Sequence, residues 1–326
     1  MNLLILKNKK IIICIVLLIA GLIVTTRQEN APEGKRLSSG DSVIWENMTE
    51  IDNYESIRKY LNKRHFSFWD EIEVLKEDEE YPQGLCITDE CVFISSYSAI
   101  RGKLGYIRAY DRASGEYLIS FGMDASSHLG GLAFDGENLW VCNPAKMAIE
   151  RISYAFILQM IEENKGQTID IRNLVDRYHV SNIPSTVAYY DGALWVATHS
   201  VLTNATLVRY SYSQMKDKLE FEKVFWIPSK VQGIAFKENG EVYLSTSYGR
   251  TISSRIKRYN SVYDMSENVE AYTEEVKLPP CSEGIVYQDK KLYIIFESAG
   301  KKYLEGTDGK GKSKSPIDKI LVLNEK

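Results

Sequence analysis

The chain has 326 residues, of which 44% are hydrophobic and 26% charged, and its formal net charge at pH 7 is -4. This length is sufficient for a large hydrophobic core in one domain or two. Acidic and basic residues are mixed along the chain in short groups, so the charge pattern excludes the continuous basic surface by which proteins bind nucleic acids.

The N-terminus has the composition of an export signal. Lys7, Lys9 and Lys10 precede an uncharged apolar run over residues 11–24, and a polar stretch follows. A basic segment before an apolar one stays on the cytoplasmic side of the membrane. Because no A-x-A cleavage site is evident, we predict a single-pass cell-membrane protein anchored through residues 1–26, with its body outside the cytoplasm. A secreted protein with a cleaved signal is the alternative.

Residues 27–65 are predicted to connect this anchor to the body. They begin with a polar tether, after which apolar residues such as Ile51, Tyr54 and Ile57 recur at three- and four-residue spacing. This spacing predicts a short amphipathic helix over residues 48–64.

From residue 66 to the C-terminus the chain contains five similar copies of one pattern. Each copy has a turn marked by glycine or proline, a short apolar run, a tight polar turn and a second run led by an aromatic residue. The first apolar residues of the copies lie 47, 55, 47 and 51 positions apart, and they are Leu85, Leu132, Val187, Ile234 and Ile285. A period of about 40–50 residues with four short strands per copy is typical of a β-propeller blade.

The last copy ends at its third strand, and we predict that residues 68–75 supply the missing outer strand and close the ring. The second copy is interrupted by residues 155–164, whose apolar spacing is helical. Aromatic residues at one equivalent position are predicted to pack between blades; they are Phe93, Trp140, Trp195, Tyr243 and Tyr293. The predicted fold is all-β: a five-bladed β-propeller over residues 66–326, closed by an N-terminal strand and preceded by one membrane helix.

Four of the five cysteines lie in this repeat region, without the paired spacing of a zinc site. Cys86 and Cys142 fall within predicted core strands, where a cysteine behaves as a small hydrophobic residue. We predict free thiols, and a disulfide in an oxidising compartment is the alternative.

In a β-propeller, the loops that enter the inner strands and those that leave the second strands meet on one face around the central channel. The residues that we predict to contact a ligand there are Gln83, His128, Asn143, His199, Gln232, Tyr248, Arg250 and Lys301. Glu283 and Glu297 occupy the same two loops of the fifth copy. For His128 and His199, a shared pocket and a purely structural role are both open.

Glu283 is the strongest candidate for chemistry, because the equivalent positions of the other copies hold uncharged residues. Burial or a second carboxylate would raise its pKa toward a value useful for acid or base catalysis, with Glu297 as its partner. Alternatively, Glu283 binds a cation together with Asn143 and Glu297, whose hard oxygen donors suit Ca²⁺. The third interpretation is structural, a salt bridge to Arg250 or a loop cap.

Residues 300–316 form a long segment rich in glycine and lysine. Its GTDGKGKS stretch is only partly similar to a phosphate-binding loop, since the strand-to-helix context is missing. It is either an exposed loop or a lid that presents lysines to an anionic ligand; these are Lys301, Lys302, Lys310 and Lys312.

The repeat motif, G-I-A-F followed by G-x-L-W/Y-V, resembles those of extracytoplasmic bacterial propellers related to the gluconolactonase, NHL and phytase-like groups. The resemblance covers residues 66–326. Gluconolactonase-type enzymes are six-bladed and bind a divalent metal on the channel through Glu, Asn and Asp. The resemblance implies that Glu283 matches that glutamate, whereas the count of five blades departs from the family.

A second resemblance is to plant-type glutaminyl cyclases, which are five-bladed. Their first blade has a Q-G-L motif followed by a strand that ends in F-E-S. Residues 81–85 (YPQGL) match the motif, but Ile94 stands where the family has its catalytic glutamate. The tripeptide recurs around Glu297 in the fifth copy.

Two functions remain open. The leading hypothesis is a membrane-anchored propeller that binds a polar or anionic ligand or partner (a small molecule, glycan or peptide) on one face. The alternative is a metal-assisted lactonase or hydrolase, or a glutaminyl-cyclase-like enzyme, that uses Glu283 or Glu297.

Overall fold

The computed structural model describes residues 52–61, 65–69, 72, 80–98, 100, 102–124 and 127–325. The predicted membrane segment at residues 11–24 lies outside them. None of the helices in the described part of the chain has the length and apolar character needed to cross a bilayer.

The strands of the described residues form five sheets, and each sheet is one blade of a propeller. Strand β1 (Phe66–Trp69) belongs to the last blade. Blade 1 contains β2 (Glu80–Ile87), β3 (Cys91–Ser98), β4 (Leu104–Asp111) and β5 (Tyr117–Asp124). Blade 2 contains β6 (Leu132–Phe134), β7 (Asn138–Asn143), β8 (Ala148–Ser153) and, after β9 (Thr168–Asp170), β10 (Asp176–His179). Blade 3 contains β11 (Thr186–Tyr190), β12 (Ala193–Ala197), β13 (Ala205–Ser213) and β14 (Lys218–Ile227). Blade 4 contains β15 (Val231–Phe236), β16 (Val242–Thr246), β17 (Ser254–Tyr259) and β18 (Glu274–Leu278). Blade 5 contains β19 (Ser282–Gln288), β20 (Lys291–Phe296), β21 (Ile320–Asn324) and β1. The five-bladed propeller predicted from the sequence is confirmed.

The ring closes as predicted, through the segment that precedes blade 1. Strand β1 pairs antiparallel with β21, so that Phe66 lies opposite Leu323 and Trp69 opposite Ile320. This strand, Phe66–Trp69, begins two residues before the predicted range of 68–75, most of which lies outside the described residues. Its aromatic side chains explain the position, since Phe66 and Phe68 pack against the core between blades 4 and 5.

The inner strands contact one another in a closed cycle, β2 to β6, β11, β15, β19 and back to β2. Glycine allows this close approach. A Cβ added to Gly131 would lie 2.6 Å from the backbone nitrogen of Val187, and one added to Gly284 would lie 2.8 Å from that of Leu85. The glycine that recurs in the repeat is thus required for contact between neighbouring blades.

Aromatic residues pack between the blades, as the repeat predicted. The ring of Trp195 in blade 3 lies 5.2 Å from that of Phe236 in blade 4. Tyr243 of blade 4 stacks on Tyr287 of blade 5, with 5.5 Å between ring centroids. The four described cysteines are buried free thiols, in agreement with the sequence-based prediction.

Among the described residues, four helices and one 3-10 turn connect or support the blades; in chain order they are α1 (Asp52–Leu61), η1 (Pro144–Lys146), α2 (Tyr154–Asn164), α3 (Val262–Glu267) and α4 (Lys301–Leu304). Helix α1 lies within the predicted range of residues 48–64, and its Ile57 and Leu61 are buried in the same core as β18 and blade 5. The helical insertion in blade 2 was predicted correctly and forms α2. Strand β10, which follows it, was not predicted because only Tyr178 of its four residues is buried, which gives no alternation.

Candidate functional site

Three inner strands are irregular at the same level of the channel. The pairing register of β2, β15 and β19 with their neighbours shifts at the segments that contain Gln83, Gln232 and Glu283. A bulge redirects a side chain that a regular ladder would place elsewhere, and bulges are frequent beside binding sites. The three side chains converge on a fourth, that of Glu297, which directly follows β20.

Glu283 and Glu297 form a hydrogen-bonded carboxyl pair. Nε2 of Gln232 donates to Oε1 of Glu283 at 3.2 Å, and Nε2 of Gln83 donates to Oε2 of Glu297 at 3.1 Å. Burial, followed by the negative charge of Glu297, holds the pKa of Glu283 well above its usual value. A hydrogen bond between two carboxyl groups requires a proton on one of them. Because its pKa is raised, Glu283 keeps a proton to higher pH than an ordinary glutamate, and in that state it can donate to Glu297.

An aromatic cluster lies beside the pair. We call Tyr81, Tyr97 and Tyr303 the tyrosine cage. The hydroxyl of Tyr303 is hydrogen-bonded to Glu297. Nζ of Lys302 lies 3.7 Å from the ring centroid of Tyr81, 4.8 Å from that of Tyr303 and 5.0 Å from that of Tyr97, and it donates to the Tyr97 hydroxyl at 2.5 Å. Burial lowers the pKa of Lys302, although the carboxylate of Glu297 acts in the opposite direction.

The two histidines predicted for this face lie next to the cage. The ring of His128 stacks on Tyr97 at 4.1 Å between centroids. Burial, together with the positive charges of Lys302 and His199, lowers the pKa of His128 to about 4, so this imidazole is neutral at pH 7. Nδ1 of His199 lies 3.0 Å from the carbonyl oxygen of Val231. Because a carbonyl only accepts, Nδ1 carries the proton. Val231 precedes Gln232, so His199 and Glu283 lie on the same face of the ring.

Arg250 fastens the segment that connects β20 and β21 of blade 5. Its guanidinium donates to the carbonyl oxygens of Lys302 at 2.7 Å and Gly311 at 2.6 Å, and it forms a salt bridge with Asp308 at 2.5 Å. The same group lies 4.4 Å from the ring centroid of Tyr303. Arg250 is thus paired with Asp308, not with Glu283. We call residues 301–311 the lid. Lys302 of the lid lies among the tyrosines, whereas Lys310 and Lys312 are exposed, and the presentation of these lysines to an anionic ligand stays a prediction.

The remaining predicted site residues have other surroundings. Nδ2 of Asn143 donates to Oε1 of the buried Glu150 at 2.9 Å, while its oxygen accepts from the backbone of η1. Tyr248 is 44% exposed, and Nζ of Lys230 lies 5.3 Å from its ring centroid. Lys301 is half-buried at the start of α4, one residue before the lysine that reaches the cage.

The donor set does not fit a calcium site built from Glu283 and Asn143. The amide of Asn143 is engaged with Glu150, and the neighbourhood of the carboxyl pair contains the ammonium group of Lys302. Within the described ranges, no three His, Cys, Asp or Glu side chains are grouped so that they could hold a metal ion. We therefore derive no chemical step through a metal.

No motif of the sequence points to the tyrosine cage as a unit. Tyr81 lies two residues before Gln83, and Tyr303 lies in the lysine-rich segment that has no counterpart in the other repeats. Tyr97 is the penultimate residue of β3, the second strand of blade 1, near the loop where polar residues were expected to line the face. The signal available was therefore position alone, since an aromatic residue at a strand end is more often part of the core.

Comparison with known proteins supports the propeller fold alone. No family model matches the chain, and no curated protein matches it in sequence. Among solved structures, the tail fibre of Staphylococcus aureus phage P68 is similar with a TM-score of 0.53 and 12% identity, over 84% of this chain and 56% of the tail-fibre chain. The present chain thus spans little more than half the length of that protein. A nidogen/laminin complex chain gives a TM-score of 0.42 and 14% identity, over 68% of this chain and 74% of that one.

Proposed function

We propose that this protein is a membrane-anchored, extracytoplasmic propeller that binds a polar ligand at the mouth of its channel, next to Glu297. The observation that carries this proposal is the carboxyl pair and its two glutamine partners. Gln83, Gln232 and Glu283 come from three blades, and each lies at a bulge in its inner strand. A fold that needed only a packed channel would fill it with apolar side chains, because burying polar groups is costly unless they are fully paired.

The charge of the site favours a ligand with hydrogen-bond donors. Glu297 is half-buried, whereas Glu283 is buried, so Glu297 is the more accessible carboxyl group of the pair. A carboxylate accepts hydrogen bonds from hydroxyl, amide and amine groups. Arg250, which would attract an anion, is engaged by Asp308. Among the ligands that the sequence left open, a glycan, a small polyol or a peptide amine therefore fits better than an anion.

The membrane location rests on the sequence of residues 1–26, where a basic segment precedes an apolar run. Treating intact cells with a protease tests it. An extracytoplasmic propeller would be degraded while cytoplasmic proteins survive, and protection equal to that of a cytoplasmic protein would contradict the proposed location.

An acid/base enzyme is the second candidate, because two carboxyl groups stand side by side and burial, with the charge of Glu297, raises the pKa of Glu283. Such a pair can donate a proton at one site of a substrate and accept one at another. The reaction class is hydrolysis or cyclisation, with Glu283 as the acid and Glu297 as the base.

A thermal-shift screen of the full-length chain in detergent tests both candidates. The library contains sugars, sugar acids, phosphates, amino acids and short peptides, and the proteins are the wild type, Glu297→Gln and Glu238→Gln. Glu238 is exposed in the hairpin turn of blade 4 and is the matched control. We expect a ligand that raises the melting temperature of the wild type and of the control but not of Glu297→Gln. Equal shifts in all three proteins, or none from the whole library, would contradict binding at this site.

Mass spectrometry of each hit after incubation then separates the candidates, since conversion by the wild type and not by Glu283→Gln identifies an enzyme.

A further inference from the structure

We propose that the tyrosine cage is a binding site for the ammonium group of an alkylamine, and that Lys302 occupies this site from within the same chain. This inference rests on the proposed binding at the channel mouth and names the class of ligand. It assigns to the lid a regulatory role, because the same lysine that fills the site must leave before a ligand can enter.

The geometry of the cage is that of an ammonium site. The distances from Nζ of Lys302 to the three ring centroids are 3.7, 4.8 and 5.0 Å, all within the range of about 6 Å in which a cation is attracted by an aromatic face. Nζ also donates to the Tyr97 hydroxyl. Glu297, hydrogen-bonded to Tyr303, contributes the negative charge that an ammonium group requires. The rings of Tyr81 and Tyr303, the hydroxyl of Tyr97 and a carboxylate together recognise both the charge and the shape of the cation.

Outside the cage, helix α4 is held by Arg250. The helix has four residues, a single turn, and the guanidinium of Arg250 donates to the carbonyl oxygen of Lys302. Gly300 immediately precedes the helix, and a Cβ added there would lie 2.4 Å from ring atoms of Tyr81. Glycine at this position therefore permits α4 to lie directly on the cage. Movement of this one turn would remove Lys302 together with Tyr303 without disturbing any blade, and would leave Tyr81, Tyr97 and Glu297 to the incoming ammonium group.

A tethered occupant competes with a free ligand. When the binding-competent state is only a fraction of the population, the apparent dissociation constant rises by the inverse of that fraction. The wild type should thus bind alkylamines weakly, and removal of the Lys302 ammonium should increase the affinity. The four-carbon stem of lysine indicates the length of apolar chain that the site accepts next to the charge.

Isothermal titration calorimetry with n-butylammonium tests this on the full-length chain in detergent, because this cation reproduces the stem and charge of a lysine side chain. The proteins are the wild type, Lys302→Ala and Lys301→Ala, the last being the adjacent lysine of the same helix. We expect Lys302→Ala to bind at least about 10-fold more tightly than the wild type, and Lys301→Ala to equal the wild type.

Adding Tyr97→Leu to Lys302→Ala should abolish binding, and n-butanol should not bind. Equal affinity of Lys302→Ala and the wild type, no binding to Lys302→Ala, or equal binding of butanol would overturn the inference.

A second measurement uses the unaltered protein and does not depend on the folding of a variant. Hydrogen exchange of the backbone amides of residues 301–311 should become faster in saturating n-butylammonium, because the displaced lid loses its contacts. Unchanged exchange at a concentration that saturates Lys302→Ala would overturn the lid mechanism. The thermal-shift screen with Glu297→Gln separates this inference from the proposed function. If a sugar or peptide stabilises the wild type but not Glu297→Gln, while n-butylammonium does not bind, the proposed channel site stands and only the ammonium site is ruled out.

Discussion

Glu283 and Glu297 stand side by side in the channel because Ser282 and Phe296, the residues that precede them, are paired in the ladder between β19 and β20. The bulge that follows Ser282 turns Glu283 toward its partner. Two carboxyl groups this close cannot both be ionised without a large cost, and the shared proton removes the repulsion. The pair is therefore a single titrating unit with two chemically different members.

Replacing Glu283 and replacing Glu297 by glutamine should change the free energy of unfolding by different amounts. In Glu283→Gln the new amide can still donate to Glu297 and accept from Gln232, so the free energy of unfolding should change by less than about 1 kcal/mol. In Glu297→Gln an amide replaces a carboxylate that accepts from Gln83 and Tyr303, so we expect a loss of about 1–3 kcal/mol. Urea unfolding of both variants at pH 7 measures the difference. A larger loss for Glu283→Gln than for Glu297→Gln would contradict the assignment of the proton.

The raised pKa of Glu283 also predicts a pH dependence. The folded protein retains the proton where the unfolded chain, with a usual pKa of 4.5, has lost it. The stabilisation is complete below pH 4.5 and declines as the pH rises through the pKa of the folded state, by about 1.4 kcal/mol per pH unit at most within that window. The difference in unfolding free energy between the wild type and Glu283→Gln, measured from pH 5 to 8, should fall with increasing pH. A constant difference would show that Glu283 is not protonated in the folded protein.

His128 should have the opposite effect. Its pKa is about 4 in the folded protein against 6.5 ordinarily, so its contribution is present above pH 6.5 and is lost as the pH falls toward 4, by about 1–3 kcal/mol. The variant His128→Asn should be less sensitive to acid than the wild type. Asparagine suits the positive φ of 62° at this position. His179, exposed at the end of β10, provides the control variant His179→Asn, which should follow the wild type. Equal acid sensitivity of His128→Asn and the wild type would contradict this prediction.

Contact between neighbouring inner strands should make Gly131 irreplaceable. In Gly131→Ala the new methyl group would lie 2.6 Å from the nitrogen of Val187 and 2.7 Å from Cα of Thr186, and both are backbone atoms of the next blade. We expect a loss of about 3 kcal/mol or more, measured by urea unfolding. Gly192 lies in a hairpin turn at a φ of 70°, with no atom within 4 Å of an added Cβ, and Gly192→Asn should cost less than about 1 kcal/mol because asparagine tolerates this left-handed conformation. Comparable losses in the two variants would show that the blades are not in backbone contact.

The number of blades, their order and the source of the closing strand were predictable from the sequence, because they follow from local signals that recur. Apolar alternation, hairpin dipeptides and the glycine or proline that marks each inner strand act within a few residues of one another. The limits of β1 and the existence of β9 and β10 were not predictable. Strand β9 pairs in parallel with β5 of another blade, and such a short edge strand is specified by its partner more than by its own residues.

The sequence by itself also determined which loops face the channel, and so placed Gln83, Gln232 and Glu283 together. Only the tertiary structure decided what those residues do to one another. Gln83 and Glu297 are 214 positions apart, and neither their hydrogen bond nor the proton on Glu283 has a trace in the local pattern. The same holds for Lys302, whose ammonium lies between tyrosines of blade 1 and its own helix. Pairings of this kind depend on bulges and on the closing of the ring, which bring distant side chains to within hydrogen-bonding distance only after every blade has been placed.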